Sequence, residues 1–87
     1  MLTRDEFKEL QPYEEDFHRA VYAHYKLATL PEENKIVEKI IRKYEPKERV
    51  DWSCGNCSLR VYTRVGWMYY QAKEVYGKKK SSKKLQA

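Results

Sequence analysis

Eighty-seven residues with 41% hydrophobic and 36% charged side chains make one small domain rich in amphipathic segments. No apolar run approaches the roughly 20 residues of a membrane span. The formal net charge of +5 gathers in "KKKSSKK", residues 78–84, where five lysines meet no acid. The remaining chain is neutral but uneven: residues 1–33 carry a net −4 and residues 34–76 a net +4. Such a field steers partners and favours polyanions without specifying a fold.

Proline and glycine divide the chain into four segments. Thr3 followed by Glu6 forms a capping-box pattern for a first short helix carrying Leu2, Phe7 and Leu10, with Pro12 ending it or opening the next. From Tyr13 to about Ala28 the spacing predicts a second helix with Tyr13, Phe17, Ala20, Val21, His24 and Ala28 on its buried face. Its first turn holds Glu14, Glu15 and Asp16, which suit the positive end of a helix dipole and would face a basic partner. "TLPEENKIVEKIIRKYEP" predicts a third helix, capped by Thr29 with Glu32 at the capping-box position and stopped before Pro46. Ile36, Val37, Ile40, Ile41 and Tyr44 form its apolar stripe.

A polar loop anchored by Val50 and Trp52 leads to a fourth helix over about Ser53 to Tyr76, with Ser53 or Asp51 as its cap and Gly77 closing it. Cys54, Cys57, Val61, Val65, Met68, Ala72 and Val75 repeat at steps of three or four and predict its core face. No run alternates in the manner of a strand. The fold class expected is all-α: a bundle of three to four helices over residues 1–77, with residues 78–87 a disordered lysine-rich tail.

Only "SCGNCSLR", residues 53–60, looks like chemistry. Cys54 and Cys57 could supply two metal ligands, but a structural zinc site needs four. His18 and His24, six apart, fall on different sides of a regular helix and cannot complete it. A redox pair is the second reading, because a helix N-terminus acidifies thiols, although the βαβ context of thioredoxin-like enzymes is missing. Their place on the Val61–Val65 stripe favours the third reading, two small core residues. With no glycine-rich phosphate loop and no catalytic signature, neither an enzyme nor a cofactor is expected.

The opposite face of the fourth helix aligns Arg60, Arg64, Trp67 and Gln71, flanked by Tyr62, Tyr69, Tyr70 and Lys73. Arginine, tyrosine and tryptophan dominate protein hot spots, and aromatic faces also stack on bases. Lys39, Arg42 and Lys43, with Lys35 on the same helix and Lys47 and Arg49 beyond it, form a second basic ridge leading toward Lys78, Lys79 and Lys80. These residues are the expected contacts for a protein or protein–nucleic-acid complex, with RNA or DNA touching the lysines. A second copy of the chain is a further candidate partner and a membrane is not. The N-terminus "MLTRDEFKEL" lacks the order of a secretory signal, which places the expectation in the cytoplasm.

The stretch "DWSCGNCSLRVYTRVGWMYY" resembles short helical phage and prophage proteins in which a Cys-x-x-Cys turn opens a long aromatic helix. Size, helical build and tyrosine content are similar to those of phage-encoded anti-CRISPR-type inhibitors of host defence. The resemblance implies non-catalytic binding to a host nucleoprotein machine. The alternatives are a virion structural or packaging component and a stand-alone nucleic-acid binder.

Overall fold

The computed structural model describes residues 1–26 and 28–77, and the lysine-rich tail expected over 78–87 lies outside them. Among these residues every regular element is helical: α1 (Arg4–Leu10), a 3₁₀ turn (Gln11–Tyr13), α2 (Glu14–His18) running into a π turn (Arg19–Ala23), α3 (Pro31–Tyr44), and α4 (Gly55–Ala72) running into a second π turn (Lys73–Gly77). None is long and apolar enough to cross a membrane.

The first helix starts where the sequence places it. Thr3 Oγ1 accepts the Glu6 N–H at 3.2 Å and Glu6 Oε1 accepts the Thr3 N–H at 2.9 Å, satisfying two otherwise orphaned donors. Phe7 and Leu10 then enter the core beside Leu2. α1 ends at Leu10, and Pro12 sits in the 3₁₀ turn that leads from α1 into α2, where a missing N–H costs little.

Two expectations fail between α2 and α3. The second helix ends at Ala23 rather than Ala28, because a π turn widens the coil and His24 closes it in the left-handed region at φ 60°. His24 and Ala28 are therefore exposed and not on a buried face. Thr29 does not cap α3: Leu30 is the N-cap residue without a side-chain bond, and Thr29 Oγ1 donates instead to Asn34 Oδ1 at 2.6 Å. Glu33, not Glu32, turns inward and is only 4% exposed.

The core is built on α4. Val61, Tyr62, Val65, Tyr69 and Ala72 meet Phe7 and Leu10 of α1, Phe17 and Ala20 of the second segment, and Val37, Ile40 and Ile41 of α3. The buried face of α4 is rotated by roughly 50° from the expected one, half a residue step. Tyr62 and Tyr69, expected beside the exposed stripe, are fully buried, while Val75 is exposed and Met68, Cys54 and Cys57 are half-buried. The tyrosines win because each buries a large ring and still finds a polar partner for its hydroxyl. Tyr62 Oη donates to Asn34 Oδ1 at 3.0 Å and Tyr69 Oη to Glu14 Oε1 at 2.6 Å. Phe7 stacks on Tyr69 with ring centroids 5.1 Å apart.

Gly66 sets how closely the second segment and α4 approach. A Cβ placed there would lie 2.7 Å from Val21 Cγ2 and 3.3 Å from Phe17 Cβ, so only glycine permits this spacing. The first and last described segments are tied as well. Tyr76 Oη donates to the Leu2 carbonyl at 3.1 Å, and its ring packs on Phe7.

Candidate binding face

The outer face of α4 presents Arg60, Arg64, Trp67 and Gln71 to solvent, as their spacing predicts. Trp67 is 52% exposed and does not stand alone. Tyr22, 55% exposed in the π turn after α2, lies edge-on to Trp67 at 6.3 Å and to Tyr70 at 5.6 Å, and His18 packs on its other side at 5.0 Å. Tyr70 is half-buried, its ring against Tyr69 and its hydroxyl buried with no bonding partner among the described residues. Tyr22 belongs to this cluster but went unread in the sequence, because it lies off the apolar stripe of its own segment. Its signal would have been the π turn, which no periodicity announces.

Above the rings, a shallow depression of about 460 Å³ is lined by Asn56, Leu59, Arg60, Thr63, Arg64 and Trp67. Both arginines are held by acids of the loop that joins α3 to α4. Arg64 Nη1 lies 2.8 Å from Glu45 Oε1 and its Nε lies 3.0 Å from Glu48 Oε1; Arg60 Nε lies 3.4 Å from Glu48 Oε2. The Glu48 side chain is 12% exposed, so it is clasped rather than solvated.

Four other basic residues singled out by sequence are also paired. Lys73 Nζ bonds Glu14 Oε2 at 2.6 Å, Lys39 bonds Glu9 at 3.1 Å, Lys43 bonds Glu6 at 2.8 Å and Arg42 bonds Glu38 at 2.7 Å. The ridge on α3 is therefore docked against acids of α1 and of its own helix. Of the acids in the first turn of α2, Glu14 turns to Lys73 and Tyr69, Asp16 to Arg19 at 2.8 Å, and Glu15 remains the most exposed. Lys78, Lys79 and Lys80 lie outside the described residues.

Burial opposes ionisation of Glu6, but bonds from Lys43, the Thr3 N–H and Tyr44 outweigh it and hold the carboxyl at about 2. Glu33 goes the other way. Burial, with the Asp16 carboxyl beside it, raises its pKa to about 7, against smaller opposing effects of Tyr62 and Lys26. One Glu33 carboxyl oxygen is buried without a hydrogen-bond partner among the described residues.

Cys54 and Cys57 are free thiols outside the core cluster, which overturns the expectation that they are core residues. A Cys-x-x-Cys turn places its side chains along the helix end, and here the rotated α4 turns that end outward. Among the described residues no three His, Cys, Asp or Glu side chains are grouped to hold a metal ion. Comparison with known protein families, curated proteins and solved structures finds no match for this chain, so its site is read from its own chemistry.

Proposed function

We propose that the chain is a small binding protein, not an enzyme, which engages a protein or protein–nucleic-acid complex through the outer face of α4 and the adjoining turn of α2. The supporting observation is the contact cluster of Trp67, Tyr22 and Tyr70 at the surface beside Arg60 and Arg64. Single exposed aromatics are ordinary, but several rings packed together in water mark a contact surface. Tryptophan, tyrosine and arginine are the types that carry most binding energy. Because Glu45 and Glu48 already hold the arginines, little side-chain freedom is lost when a partner docks. The same glutamates would have to be displaced by a bare polyanion, which favours a protein surface or a mixed complex over free nucleic acid. The resemblance to phage-encoded inhibitors points to a host nucleoprotein machine as that complex.

The test is affinity capture of the tagged chain from host lysate, with and without nuclease, beside a Trp67→Ala/Tyr22→Ala variant. One protein complex should survive nuclease and bind the variant at least about 30-fold more weakly, the loss of a hot spot near 2 kcal/mol. Capture that vanishes with nuclease, or that the variant leaves intact, overturns the proposal. Sedimentation of the pure chain as a large multimer would favour the packaging alternative.

A further inference from the structure

Cys54 and Cys57 occupy the opening turn of α4, half-exposed and unbridged. Cys54 is the N-cap residue, with extended backbone at φ −104° and ψ 117°, and its Sγ accepts the Cys57 N–H at 3.3 Å. A thiol standing where serine or aspartate usually caps is a poor structural choice but a reactive one. One helical turn separates the pair, so their Cα atoms fall roughly 5–5.5 Å apart, within the span of a disulfide. Gly55 and Asn56 between them are exposed, the space at Gly55 is open beyond its own chain neighbours, and both thiols are partly exposed. No acidic side chain occupies the first turn of α4. The nearest acid, Asp51, is engaged by the N–H and hydroxyl of Ser53 and by Arg49 at 3.6 Å.

We propose that Cys54 and Cys57 form a dithiol–disulfide switch that exchanges with low-molecular-weight disulfides, Cys54 attacking and Cys57 resolving. The Cys54 thiolate attacks one sulfur of the small disulfide; its S–S bond breaks, one thiolate leaves, and a mixed disulfide forms on Cys54. Cys57 then gives its proton to solvent and attacks Cys54 Sγ, expelling the second small thiolate. Two protein thiols are oxidised to one disulfide and the small disulfide is reduced to two thiols.

The assignment of roles follows from the hydrogen bonds. Bonds from the Cys57 thiol and from the backbone N–H groups of Cys57 and Asn56 hold the Cys54 thiol below its usual range. The Cys54 sulfur and burial push Cys57 above it. The attacking thiol is thus the more readily ionised of the two, and it is the better leaving group when the bridge is reopened. This switch is independent of the partner proposed for the aromatic face.

The experiment incubates the full chain in buffered mixtures of reduced and oxidised glutathione, quenches with acid, alkylates, and reads intact mass. Wild type should lose two hydrogens with one midpoint and carry no lasting glutathione. Cys57→Ser should accumulate one glutathione, and Cys54→Ser should react at least about tenfold more slowly. Limited alkylation of the folded wild-type chain, mapped by peptide, should rank Cys54 above Cys57 without any substitution. A chain that stays unbridged at every ratio, or equal reactivity of the two thiols, overturns the proposal.

Discussion

Gly66 and Gly55 sit eleven positions apart on α4, and the same substitution should act on them with opposite signs. At Gly66 an added methyl meets Val21, whose branched side chain has little freedom to move, and the Phe17 Cβ. Overpacking costs about 1–3 kcal/mol against a helix-propensity gain of about 1 kcal/mol, so Gly66→Ala should lower stability. Gly55 has open space around it and no positive φ, so Gly55→Ala should raise stability by about 0.4–1 kcal/mol. Urea unfolding of both variants checks the pair; equal shifts would refute the close approach of the two segments. Sequence alone could not separate these glycines, since both lie in one helical pattern and the difference is a neighbour forty-five positions away. The alignment of Trp67 with Arg60 and Arg64 was legible from helical angle alone, but not whether its ring is buried; the fold leaves it 52% exposed.

At the scale of elements, strong local signals predicted what formed. The Thr3–Glu6 capping box, the α3 stripe and the stop before Pro46 all depend on residues within one or two turns. What failed were the Thr29–Glu32 cap of α3, itself a local signal, and the end of the second segment. No glycine or proline stands near His24, and a π turn breaks the three-and-four spacing without a compositional mark. A non-glycine residue held at φ 60° carries a steric cost of about 1 kcal/mol. His24→Gly should therefore stabilise the chain by about 0.5–1 kcal/mol, the side chain being exposed. Thermal unfolding measures it; a destabilised variant would mean that the imidazole itself holds the turn. The rotation of α4 was hidden for another reason. Tyrosine reads as amphipathic in sequence, and only the positions of Asn34 and Glu14 decide that Tyr62 and Tyr69 turn inward.

Over the whole molecule, the negative first third and positive remainder of the chain do not make two separate faces. Glu9–Lys39, Glu6–Lys43 and Glu14–Lys73 close pairs across 30, 37 and 59 positions, folding one half of the charge onto the other. Arithmetic along the sequence shows the imbalance but not this pairing, which depends on which helices touch. Two carboxyls then shape stability with pH in opposite directions. Glu6 titrates at about 2 in the folded chain against an ordinary 4.5, so its contribution is present above 4.5 and lost as pH falls toward 2. Glu33 titrates at about 7, so the folded chain holds the extra proton, and its contribution is complete below 4.5 and lost as pH rises through 7. The groups facing it are Asp16, Tyr62 and Lys26; the Lys26 charge favours ionisation, and Arg19 pairs with Asp16 at 2.8 Å. Unfolding free energy should therefore fall by about 1–3 kcal/mol between pH 5 and pH 8. Glu33→Gln keeps the shape and cannot ionise, so its stability should stay nearly level over that range and exceed wild type at pH 8. Urea titrations at pH 5, 6.5 and 8 decide the matter. A variant that declines as steeply as wild type would place the responsible group elsewhere and leave Glu33 ionised in the fold.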